Sequence, residues 1–193
     1  MTGSRPRLPW AAELLLATLV AWLPPTVTAA SIAEQLQALQ LDAPRQRLPA
    51  PLFELSDSQG QRISLVNYRG QVVLLNFWAT FCQPCRDEMP AIAALENEFS
   101  EQGLVVLAIA VDRGSPKAVQ KFIQQYGIGF GVPLDPDGSV RNAYEIEALP
   151  TSYLIGKDGR FIARAVGDRA WNSSEFRSLI AALLAETNMP EAE

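Results

Sequence analysis

Apolar residues change their spacing several times along this chain, and each change marks an element. Val72 to Leu75 and Leu104 to Val111 are unbroken apolar runs, the pattern of strands buried on both faces. Between them Met89, Ile92, Leu95 and Phe99 recur at helical spacing, which predicts a helix over Pro84 to Ser100 with one inward face, and Gly103 ends the unit. Val119, Phe122, Ile123 and Tyr126 predict a second helix, with Ser115 as its N-cap, Pro116 at its first position and Gly127 at its end. Leu52 to Leu55 and Ile63 to Leu65 flank Asp57-Ser58-Gln59-Gly60 and read as a hairpin. Thr151 to Ile155 and Phe161 to Val166 form another around Lys157-Asp158-Gly159-Arg160. Val132-Pro133-Leu134 reads as a short edge segment and Gly138 to Glu145 as a short helix. A last helix starts near Ser173, with Phe176, Leu179, Ile180, Leu183 and Leu184 on one face. The order ββ, βαβα, ββα predicts an α/β fold: one central mixed sheet flanked by helices on both faces, with an N-terminal β-hairpin extension.

The N-terminal region has a different character. Arg5 and Arg7 precede the run Leu14 to Leu23, Pro24-Pro25 breaks it, and small residues follow at Val27-Thr28-Ala29-Ala30. This is the layout of an export signal. Ten residues fall short of the about twenty that cross a bilayer. Residues 1–30 are therefore read as a signal peptide, with an uncleaved anchor, associating with the membrane through residues 8–23, as the alternative. Residues 31–46 hold a short amphipathic helix (Ile32, Leu36, Leu39) and the start of a Pro-rich linker. Residues 47–187 form the compact domain and 188–193 a C-terminal tail. Apolar content of 48% and 19% charged residues exclude wholesale disorder. A net charge of −5 leaves nucleic-acid binding without an electrostatic basis. A monomer is expected.

The candidate chemistry is concentrated in two sulfurs. Cys82 and Cys85 are the only cysteines, and they stand between the predicted central strand, Gln71 to Phe77, and the helix behind it. Unpaired N–H groups and the macrodipole at a helix N-terminus favour a thiolate, lowering a cysteine pKa from about 8.5 into the range of about 3.5–7.5. Two such thiols form a reversible two-electron couple, and export would place them where disulfides persist. Structural zinc requires four ligands, and the chain has no histidine and no third cysteine. A c-type haem site requires His where Arg86 stands. A purely structural disulfide closing so short a loop would contribute only about 2 kcal/mol. No metal and no cofactor is expected.

Three stretches carry a family likeness: Trp78-Ala79-Thr80-Phe81-Cys82-Gln83-Pro84-Cys85-Arg86-Asp87-Glu88-Met89-Pro90, Leu134-Asp135-Pro136-Asp137-Gly138, and Ala148-Leu149-Pro150-Thr151-Ser152-Tyr153-Leu154-Ile155 with Lys157-Asp158-Gly159-Arg160. Over residues 47–187 the chain resembles the exported thioredoxin-like proteins of the TlpA/ResA/CcmG (DsbE) type, whose insertion between the second strand and its helix it shares. The resemblance implies a thioredoxin-like fold and an extracytoplasmic thiol–disulfide oxidoreductase, periplasmic or held at the inner membrane. Its substrates would be protein disulfides, such as those of apocytochrome c or of cytochrome oxidase copper-site proteins. Its electrons would come from a membrane protein of the DsbD or CcdA type.

The likeness makes Cys82 the attacking thiol and Cys85 the resolving one, together the redox-active disulfide. Pro150 matches the cis-proline beside the active site, and Leu149 would offer backbone groups to a substrate peptide. Glu88, one helical turn past Cys85, is read either as a proton-handling group or as a solvated helix-face residue. Trp78 is read as lining the site, with a core position as the alternative. Thioredoxins carry a buried aspartate where Asn76 stands, and commonly a tryptophan where Phe81 stands. Two other functions fit a Cys pair: a peroxiredoxin-like thiol peroxidase, whose Pro-x-x-x-Thr-x-x-Cys pattern has Ala79 in place of Thr here, and a Cu(I) chaperone using the two sulfurs as soft ligands.

Overall fold

The computed structural model describes residues 30–186. The segment read as an export signal, up to residue 29, and the tail 188–193 lie outside the described residues. Strand β3 (Val72–Trp78) is the centre of the molecule, and all seven of its residues are buried. It pairs in parallel with β4 (Leu104–Ala110) and antiparallel with β5 (Thr151–Ile155), which pairs antiparallel with β6 (Phe161–Val166). The sheet order is β4-β3-β5-β6. The hairpin β1 (Glu54–Ser56) and β2 (Arg62–Ser64) forms a separate two-stranded sheet. This is the mixed sheet expected of a thioredoxin-like fold.

Alternation along β3 divides the core in two. Val72, Leu74 and Trp78 join a cluster with Leu36 of α1 (Ile32–Ala38), Met89, Ile92 and Leu95 of α2 (Gln83–Phe99), Val119 and Phe122 of α3 (Lys117–Tyr126), and Leu179, Ile180 and Leu183 of α5 (Ser174–Ala185). Val73, Leu75 and Phe77 point the other way, to Phe53, Ile63, Leu65 and to Val140 of α4 (Ser139–Ala143) with Tyr144 and Ile146 beyond it. The segment 131–134 lies along the free edge of β4 through parallel bridges Leu107–Gly131 and Ala110–Leu134. Helix α3 starts at Lys117, one residue later than the Ser-Pro signal predicts, because Pro116 occupies the cap position. Gly127 ends it at φ 61°, a left-handed conformation that glycine adopts without a Cβ clash.

The stretch 31–46 is more than a lead-in. A capping box between Ser31 and Glu34 starts α1, and Leu36 and Leu41 are buried in the main core. Asp42 and Arg164 exchange two backbone hydrogen bonds (2.9 and 2.8 Å), and Phe161 N donates to Leu48 O (2.9 Å). These contacts cover the outer edge of β6, which otherwise presents unpaired groups to another chain.

Candidate active site

Cys82 is the N-cap of α2, extended at φ −87° and ψ 105°, and its Sγ accepts from Cys85 N at 3.3 Å. The two sulfurs form a disulfide of 2.03 Å. Cys82 is half-buried and Cys85 wholly buried, so only one sulfur faces outward. Phe81 beside it is 76% exposed. On the other strand entering this end of the sheet, Thr151 pairs with Phe77, and the Leu149–Pro150 bond before it is cis. Pro150 O accepts from Gly167 N (2.9 Å). Leu149, by contrast, takes no hydrogen-bond partner for its N–H or C=O among the described residues.

Glu88 lies on the buried face of α2 with Cys85, Met89 and Ile92, only 4% exposed. The reading of a solvated helix residue is therefore overturned: the i, i+3, i+4, i+7 spacing from Cys85 carries it inward. Its Oε1 accepts from Asn76 Nδ2 (2.8 Å), and its Oε2 accepts from Trp171 Nε1 (2.9 Å) and Arg169 N (3.2 Å). Asn76 Nδ2 also donates to Ser152 Oγ (2.9 Å). Burial pushes the Glu88 carboxyl up to about 7, and the negative charge of Asp168 adds to this; the bonds from Trp171, Asn76 and Arg169 oppose it. A buried carboxyl poised near neutrality, one turn from the buried cysteine, is suited to exchanging protons with it.

Trp78 does not line the site. It is wholly buried, its indole N–H donates to Ala108 O (3.2 Å), and its ring meets Phe122 at 4.8 Å. Strands on both edges and helices on both faces leave the last residue of β3 no route to the surface. It belongs to the same core cluster as Cys85.

Two groups carry no prior signal in the sequence. Trp171 follows Asp168-Arg169-Ala170 in the loop before α5, buried and packed on Phe176 at 4.6 Å; a single large aromatic in a loop is the trace it leaves. Asp112, just past β4, accepts from Thr80 N (3.0 and 3.2 Å to its two oxygens) and from the Thr80 hydroxyl, fixing the turn that precedes Cys82. Among the described residues no group of three or more His, Cys, Asp or Glu stands together as a metal site.

The model of the AhpC/TSA family matches residues 47–164. A thiol-disulfide oxidoreductase ResA from Bacillus subtilis is 41% identical over 118 residues, and one from Bacillus thuringiensis 38% over 120 residues. These alignments take in 61% and 62% of this chain, which spans 65% and 69% of the two relatives' lengths. The chain belongs to the ResA/DsbE-type thiol–disulfide oxidoreductase family. A crystal structure of a candidate thiol:disulfide interchange protein DsbE from Chlorobium tepidum superimposes with a TM-score of 0.67 at 31% identity, covering 75% of this chain and 99% of that one. Within this family's fold, the closely spaced pair Cys82–Cys85 stands at the head of α2 as a disulfide.

Proposed function

We propose that the chain reduces disulfides of other proteins outside the cytoplasm through Cys82 and Cys85. The observation that carries the reading is the asymmetry of the pair: a half-buried sulfur capping α2, and a wholly buried one sharing its helix face with a carboxyl poised near neutrality. In the reduced form the Cys82 thiolate attacks one sulfur of a substrate disulfide. The new Cys82–substrate bond forms as the substrate's own S–S bond breaks, and the departing substrate thiolate takes a proton. Glu88 accepts the Cys85 proton. The Cys85 thiolate then attacks Cys82 Sγ, restoring the internal disulfide and releasing the second substrate thiolate. Two electrons pass to the substrate, and its two thiolates take one proton from solvent, matching the one Cys82 released on forming its thiolate, and one from Glu88. Leu149, whose backbone groups beside Pro150 have no partner among the described residues, supports strand-like pairing with the substrate peptide.

The family likeness supports apocytochrome c or cytochrome oxidase copper-site proteins as substrates and a DsbD- or CcdA-type membrane protein as electron source. Residues 1–30 support the extracytoplasmic location. N-terminal sequencing of exported protein is expected to start near Ala30 or Ser31; accumulation of the full chain in the cytosol refutes export.

Alkylation of the reduced protein near neutral pH tests the core of the reading. Cys82 is expected to react at least tenfold faster than Cys85, and Cys85→Ser is expected to trap mixed disulfides that Cys82→Ser does not. Equal labelling with no trapped species overturns it. The AhpC/TSA match gives a peroxidase its support, and peroxide consumption exceeding insulin-disulfide reduction decides for that alternative.

A further inference from the structure

Six large apolar side chains are exposed among the described residues, and three of them, Leu48, Leu52 and Val66, gather at one end of the sheet. Backbone hydrogen bonds draw their segments around the turn between β5 and β6. Phe161 N donates to Leu48 O (2.9 Å), Ala50 N to Gly159 O (3.0 Å) and Gly70 N to Lys157 O (2.9 Å). Leu52 and Arg69 line one shallow hollow with Gly156 and Gly159. The same turn collects cations. Arg47 pairs with Asp158 (3.0 Å), Arg69 donates to Asp158 O, and Arg160 donates to Arg47 O (3.0 Å). Arg45 is exposed two residues before Arg47. Lys157 caps the end of α5 through Leu184 O and Glu186 O. Against these cations stand the carboxylates of Asp158 and Glu186, so this end is positive although the whole chain carries −5.

We propose that this end of the domain is a docking surface for an anionic phospholipid bilayer, and that it holds the Cys82–Cys85 end outward. The register of the sheet sets the orientation. Val73 pairs with Ile155 and Phe77 with Thr151, so the β5–β6 turn sits where β3 begins, and Cys82 follows where β3 ends. The length of β3 separates the two by about 20 Å. Guanidinium groups match phosphate geometry with paired N–H donors. Leu48, Leu52 and Val66 enter the headgroup boundary beside them and remove apolar area from water. An anionic bilayer meets both features at once, arginines and projecting aliphatic side chains, which is why it is favoured over an acidic protein. The docking surface shares no residue with the redox site and does not depend on the redox reading.

The test is flotation with phosphatidylcholine vesicles, with and without phosphatidylglycerol, using protein that begins at Ser31 so that the apolar run Leu14 to Leu23 is absent. Both core clusters lie within residues 30–186, so this form keeps the fold. It is expected to float with the anionic vesicles, not with the neutral ones, and to be released as salt rises. Each basic residue at an anionic surface strengthens binding about fivefold, so Arg47→Gln with Arg69→Gln is expected to weaken it at least tenfold. Leu52→Ser, which leaves the charges in place, is expected to weaken it as well. Arg113→Gln with Lys117→Gln removes the same charge beyond the far end of β4 and is expected to leave binding unchanged. Reduced Cys82 should be alkylated as fast on the vesicles as in solution. No flotation with anionic vesicles, or an equal loss in the Arg113/Lys117 variant, overturns the proposal. Shielding of Cys82 on the vesicles overturns it too, since the bilayer then covers the opposite end. Binding to polyglutamate that needs Arg47 and Arg69, without any binding to vesicles, decides for a protein partner. Insulin-disulfide reduction in solution is expected to be unchanged in all these variants, so failure of the docking surface leaves the redox reading standing.

Discussion

Glu88 enters the folded protein with its carboxyl at about 7 against an ordinary 4.5, so ionising it in place works against folding. The folded state holds this proton more tightly than the unfolded chain does. Its stability is therefore full below about pH 4.5 and falls as pH rises through 7, by about 3 kcal/mol as an order of magnitude. Glu88→Gln is expected to remove that slope in urea denaturation carried out from pH 5 to 8. Trp171→Phe separates packing from hydrogen bonding at the same carboxyl: the ring stays on Phe176, and the N–H to Oε2 is lost. That bond favours the ionised form, so its loss is expected to move the Glu88 titration midpoint upward, read from the carboxyl 13C signal. Stability should drop by roughly 1–3 kcal/mol at pH 8, where the carboxylate loses a charge-assisted donor.

Elements around the site are held by buried polar groups that themselves do no redox chemistry. Asp135 is wholly buried and accepts from Ser139 Oγ (3.2 Å), Val140 N (3.2 Å) and Arg141 N (2.7 Å), the opening turn of α4. Asp135→Ala leaves those donors unpaired in the interior. A loss of about 2–4 kcal/mol is expected in urea unfolding, with the ratio of Cys82 to Cys85 alkylation rates unchanged in the folded protein, since α4 lies on the sheet face opposite α2. The Leu134-Asp135-Pro136-Asp137-Gly138 stretch is thus a capping device for a helix. Asp112 does the equivalent for the loop before Cys82, with Thr80 as its donor.

At the scale of the whole molecule, the lead-in segment belongs to the fold. Leu36 and Leu41 are 6% and 7% exposed, and burial of two leucines contributes roughly 3–6 kcal/mol. A chain beginning at residue 47 is expected to lose stability of that order in denaturant titration. It should also associate more readily in sedimentation, since the β6 edge is then uncovered.

Much of this organisation is carried by local sequence. Strands β3 and β4 show as unbroken apolar runs, α2 and α5 as helical periodicities, the two hairpins as turn residues between apolar segments, and the Cys pair by its place between strand and helix. Each is set by neighbours within a few residues, so the order of residues alone decided it. Trp78, Glu88, Asn76 and Trp171 are different. Whether Trp78 faces solvent depends on β4, β5 and the helix layer closing over it, and whether Glu88 titrates depends on a loop 81 residues further along the chain. Burial and hydrogen-bond partnership are properties of what the fold brings together, and only the tertiary structure decided them.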